Sequence, residues 1–151
     1  MKLQSSDFEN RQAIPMAFTC DGDGDRPELE ISEVPESTKS LVLIVDDPDA
    51  PGGSFIHWLV WNIEPKNQII KRNSVPDGII IGCSQMGKSE YIAPCPPIGT
   101  HVYLFKLYAL DILLPLDPAL NKKTIRKMME GHIIERTILR GFYERAHSEN
   151  F

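Results

Sequence analysis

The chain has 151 residues, 42% apolar and 25% charged, the size and balance of one soluble globular domain with a real core. Its formal net charge of −5 excludes the overall basic excess of a duplex nucleic-acid binder. No apolar run reaches the roughly 18 residues needed to cross a bilayer. Twelve prolines argue against long helices and for short elements joined by fixed turns. Charge is uneven: residues 121–151 hold seven basic and four acidic residues, the pattern of a basic helix face.

In chain order, the N-terminal MKLQSSDFEN has no apolar h-region, so no secretory leader is evident. Cys20, Cys83 and Cys95 form an odd set without CxxC spacing, which reads as reduced thiols in a cytoplasmic protein. The fully apolar LVLIV (41–45) suits a strand covered on both faces. SFIHWLVWNI (54–63) is β-branched and aromatic; alternation places His57, Leu59 and Trp61 on one face and Trp58 and Val60 on the other, with Phe55 at the His57 side. An exposed Trp61 would favour a homodimer interface. GIIIGCS (78–84) is a short strand, HVYLFKLYAL (101–110) alternates strongly, and HIIERTILRGFYE (132–144) is a late strand. One helix is marked by Asn121 as N-cap, a Leu120–Ile125 staple, Ile125, Met128 and Met129 at helical spacing, and Gly131 as a stop. Strand after strand with turn chemistry between them predicts a mostly β sandwich or barrel, with residues 1–151 as a single domain.

Several stretches carry chemistry. Asp46, Asp47 and Asp49 in DDPDAP admit a metal cage, an acid cluster or turn chemistry. DGDGD (21–25) fails the EF-hand pattern, with Arg26 at position 6 and Ser32 at position 12, and reads as a turn cluster. GCSQMGKS (82–89) matches the phosphate-loop spacing in full, but the prolines at 94, 96 and 97 forbid the helix such a loop must open. No Cys/His pair stands at a zinc-ligand spacing, so neither metal nor cofactor is expected. His57 and His101 each follow a Pro/Gly loop inside a strand, and imidazoles with a tyrosine hydroxyl are suitable donors for an anion. His132 and His147 read as structural or solvated.

Three segments together resemble the phosphatidylethanolamine-binding protein family, which includes the Raf kinase inhibitor protein. They are DDPDAP (46–51), HWLVWNI (57–63) and EYIAPCPPIGTHVYLFKLYALD (90–111), in the family's order and spacing. AIPMAFTCDG and MMEGHII are weaker matches, and the compact length is similar to the bacterial and archaeal branch. The resemblance implies an antiparallel β-sandwich with Greek-key connections, one short helix and a final strand. It implies an anion pocket formed by Asp47, Asp49, His57, Tyr91, Pro96, Pro97, His101 and Tyr103, and a cis Ala50–Pro51 bond; no catalytic residue is expected, since no G-x-S-x-G elbow is present. Asp47 is expected to orient a histidine, and Asp46 to be solvated or turn-bonded. Glu90 and Ala93 stand where the family has glycine, and Glu90 would bring negative charge near the pocket. The expected function is a regulatory protein that binds a phosphate-like or carboxylate ligand and inhibits a kinase or protease. The rivals are a hydrolase using a His/Asp pair and an oligomerising module with a vestigial pocket. No nucleic-acid partner is expected.

Overall fold

Residues 1–146 are described by a computed structural model; His147 lies outside them. The strands are β1 (Lys2–Gln4), β2 (Gln12–Ala13), β3 (Leu29–Ser32), β4 (Ser40–Asp47), β5 (Phe55–Ile63), β6 (Gln68–Ile70), β7 (Ile80–Ile81), β8 (Thr100–Leu110) and β9 (Ile133–Glu144). A 3-10 turn spans Met16–Phe18 and one helix, α1, spans Lys122–Met129.

The apolar run predicted as a doubly covered strand is β4, buried at all eight positions. It sits inside a six-stranded sheet of order β2-β9-β8-β4-β5-β7, flanked by antiparallel β5 and β8. Strand β8 returns to lie beside β4 after the β5 and β7 excursion, which gives the expected Greek-key order β8-β4-β5-β7. All its pairings are antiparallel except the short β2–β9 edge pair. Alternation along β4 feeds two cores. Leu41, Leu43 and Val45 join Leu3, Leu29, Ile31 and Ile70, contributed by the second sheet, β1-β3-β6. Val42 and Ile44 join Leu59, Trp61, Ile125 and Met129 under α1.

The helix forms where the cap and staple place it. The Asn121 side chain accepts the Thr124 N–H at 2.8 Å, a cap that contributes about 1 kcal/mol. Ile125 and Met129 are buried, whereas Met128 faces solvent. Strands β1, β3 and β6 have only three or four residues each and gave no periodic signal.

Three expectations are corrected. Cys20 and Cys95 form a disulfide across a sequence separation of 75, leaving Cys83 as the free thiol. The two partners come from distant loops, so spacing along the chain did not betray them, and the redox ground for a cytoplasmic assignment falls away. No peptide bond among the described residues is cis, so Ala50–Pro51 is trans. The reversal there is made by Gly52 and Gly53 at φ of 83° and 110°, with the Gly53 N–H on the Ala50 carbonyl. Trp61 is fully buried and donates its indole N–H to Pro115 O at 2.7 Å, which removes the ground for an interface there.

Candidate functional site

A β-bulge builds the site. Val45 pairs with Trp58 and Asp46 with Ile56, so His57 is the extra residue of β5 and has no partner across the ladder. Strict alternation would put His57 on the α1 side with Leu59 and Trp61. The bulge turns it instead toward Tyr103, whose ring lies 5.3 Å away in an edge-to-face arrangement. Asp47 pairs with Phe55 at the end of β4, and His101 and Tyr103 enter from the inward face of β8. These side chains line a cavity of about 220 Å³ at one end of the larger core. That volume is below the roughly 300–1,000 Å³ of sites for drug-sized ligands, and it suits a small head group.

The far wall is the irregular segment 92–97. Ile92, Ala93, Cys95, Pro96 and Pro97 line it, with Ala50 and Pro51 opposite. The Ile92 N–H donates to the His57 carbonyl at 2.9 Å, the Cys20 N–H donates to the Pro94 carbonyl at 3.0 Å, and the Cys20–Cys95 disulfide ties the proline wall to the N-terminal loop.

Each polar group of the cavity has a defined state. His101 Nδ1 meets Asp47 Oδ2 at 2.6 Å, and Asp47 Oδ1 accepts the Asp49 N–H at 2.8 Å. Asp47 thus orients His101 and leaves its Nε2 as the nitrogen free for a ligand. His57 Nδ1 lies 2.7 Å from the Ile92 carbonyl, which can only accept, so Nδ1 carries the hydrogen. Burial pushes the His57 pKa down; the Ile92 hydrogen bond and the charges of Asp47 and Asp46 only partly oppose this. The Tyr103 hydroxyl is buried without a protein partner. Burial first, then Asp47 and other acidic neighbours, raises its pKa well above the usual phenol value, so it remains a donor.

Of the predicted site residues, Asp47, His57, Pro96, Pro97, His101 and Tyr103 line the cavity together. Asp49 stands behind the wall, where its carboxylate accepts the Val102 N–H at 3.0 Å and fixes the start of β8. Tyr91 also lies off the wall, packed edge-to-face on Trp58 at 6.0 Å. Glu90 is exposed and outside the cavity lining, whereas Ala93 is part of it. The Ile92 carbonyl escapes side-chain reasoning because it is backbone, and Cys95 because a thiol in sequence does not show its distant partner.

The other stretches have structural partners. Asp46, expected at the surface, is 1% exposed and receives Lys106 Nζ at 3.0 Å and Lys122 Nζ at 2.9 Å. Asp21 accepts the Tyr143 hydroxyl at 2.7 Å and the Arg145 guanidinium at 3.0 Å. Arg26 stacks over Trp58 at 4.5 Å and donates to the Lys71 and Ser74 carbonyls. In the phosphate-loop look-alike, Gly82 is required by packing, since a Cβ there would lie 2.5 Å from the Trp61 ring. His132 Nδ1 bonds Asp111 Oδ1 at 2.8 Å.

The doubled sheet with an end cavity defines a class, and comparison with known proteins gives it a family. The phosphatidylethanolamine-binding protein family profile matches residues 4–144, and the chain belongs to that family. Among similar chains, a UPF0098 protein of Methanothermobacter thermautotrophicus is 41% identical over 97% of this chain and 100% of its own. A UPF0098 protein of Pyrococcus horikoshii is 46% identical over 93% of this chain and 75% of its own. The solved phosphatidylethanolamine-binding protein homologue CT736 of Chlamydia trachomatis superposes with a TM-score of 0.90 at 38% identity, covering 95% of this chain and 97% of that one. Escherichia coli YbcL, a member of the mammalian family, gives a TM-score of 0.87 at 27% identity over 96% and 98%.

Proposed function

We propose that the cavity binds a small oxyanion, a phosphate or carboxylate group, and that the protein acts by binding rather than by turnover. The observation that carries this reading is the buried, unpartnered Tyr103 hydroxyl beside the imidazole rings of His57 and His101. An unsatisfied buried hydroxyl costs about 1–3 kcal/mol, and a ligand oxygen relieves that cost. The anion is carried by a phospholipid head group, a free metabolite or a modified side chain of a protein partner. In the last case the protein regulates that partner, as an inhibitor of a kinase or protease. Titration of labelled protein with inorganic phosphate and O-phosphorylethanolamine checks this by NMR. Shifts confined to His57, His101 and Tyr103 are expected, and their absence at all three would overturn the site.

A hydrolytic reading draws on the Asp47–His101 pair, which has the form of an orienter and a general base. It lacks a serine, threonine or cysteine nucleophile: among the described residues no serine or threonine lines the cavity, and Cys95 is held by Cys20. Turnover of a phosphate ester or peptide that disappears in His101→Ala would establish it.

A further inference from the structure

Among the described residues, the cavity wall carries one carboxylate, Asp47, and neither lysine nor arginine. Lys106 and Lys122 are committed to Asp46 on the opposite face of β4. With both imidazoles neutral, the wall is therefore negative, and an anion entering alone would be repelled. Of the groups lining the cavity, the imidazoles are those that can supply positive charge, by taking a proton.

The two histidines are not equivalent in where they can take it. His101 already touches a counter-charge within the protein, the Asp47 carboxylate at 2.6 Å. His57, by contrast, has its Nδ1 on the Ile92 carbonyl at 2.7 Å and its ring against those of Phe55 and Tyr103. Of the charged groups on the strands around it, Asp47 is bonded to His101, Asp46 to its two lysines, and Asp49 to the Val102 N–H. Tyr103 and His101 are the titratable groups that β8 brings to the cavity. A charged His57 thus lacks a contacting counter-ion until a ligand supplies one.

We propose that anion binding in this cavity is coupled to the uptake of one proton on His57 Nε2. The bound state is an imidazolium–oxyanion pair, its Nδ1–H still on the Ile92 carbonyl, with the Tyr103 hydroxyl as a second donor. The inference rests on the anion-site reading and adds its proton stoichiometry. The site then takes singly and doubly charged oxyanions alike, because the protein and not the ligand carries the proton. A neutral His57 is an acceptor at Nε2 and offers a fully ionised anion no hydrogen bond.

Sulfate is the decisive probe, because it stays fully ionised near neutrality. Calorimetric titration of the intact protein with sulfate at pH 7.5, in buffers of different ionisation enthalpy, counts the protons taken up. Near one proton per sulfate is expected, with affinity falling about tenfold per pH unit from pH 7 to 8. O-phosphorylethanolamine serves as the second ligand. In long-range 1H–15N spectra the His57 ring is expected to convert from a single-NH to an imidazolium pattern on saturation. Binding without proton uptake, or with His57 still neutral, would overturn the coupling while leaving the anion site standing. Failure of both ligands to bind at any pH from 6 to 8 would remove the site itself.

Discussion

Asp46 and Asp47 are consecutive, and they are 1% and 3% exposed, yet they do opposite work. Strand alternation sends Asp46 to the α1 side, where two lysine ammonium groups more than balance it. It sends Asp47 to the cavity, where its partner is an imidazole and, among the described residues, the wall holds no permanent cation. The first carboxylate is a structural rivet between β4, β8 and α1. The second holds the His101 ring in position at the cavity wall. What separates the two identical side chains is whether lysines already balance the charge, not how deeply it is buried.

The comparison can be broken by exchanging the roles. Asp46→Asn leaves Lys106 and Lys122 without their counter-ion, and breaking such a pair costs about 3–5 kcal/mol. Urea unfolding should show that loss while the folded fraction still titrates with phosphate; an unchanged midpoint would mean the rivet is idle. Cys20→Ser opens a link that spans 75 residues and should cost about 3 kcal/mol, measured the same way with and without reductant. Because Cys95 lines the cavity, this loss, unlike that of Asp46→Asn, should also weaken anion binding.

On the cavity side, Asp47→Asn keeps an acceptor for His101 Nδ1 but removes the charge. About a tenfold weakening of O-phosphorylethanolamine is expected, with less stability loss than Asp46→Asn shows; the reverse ranking would merge the two roles. The smallest effect is the pH response of the ligand-free protein. Burial lowers the His57 pKa, so the unfolded chain takes up a proton that the folded protein refuses. Stability from this group is complete above the unfolded value of about 6.5 and declines as pH falls below it, by at most about 1.4 kcal/mol per unit. His57→Gln should flatten that decline in thermal melts between pH 5 and 7.

Much of this was legible in the chain. The apolar run at 41–45, the alternation at 101–110 and the Asn121 cap each obey one local rule, and each formed as read. The cavity residues were found through motif resemblance, whereas strand alternation misplaced His57, because a bulge is a property of the paired strands and leaves no mark in one of them. Asp46 was misread for a related reason: its lysines are 60 and 76 residues away. Cys20 and Cys95 likewise meet only once the Met16–Phe18 turn and the proline wall are brought together. The three-stranded sheet was invisible because strands of three or four residues carry too few inward positions to show a period.

A crystal structure grown in phosphate tests the central claim most directly. The account predicts tetrahedral density between the Nε2 atoms of His57 and His101, within hydrogen-bond reach of the Tyr103 hydroxyl, with Asp47 still on His101 Nδ1. A cavity holding only water at saturating phosphate would contradict it.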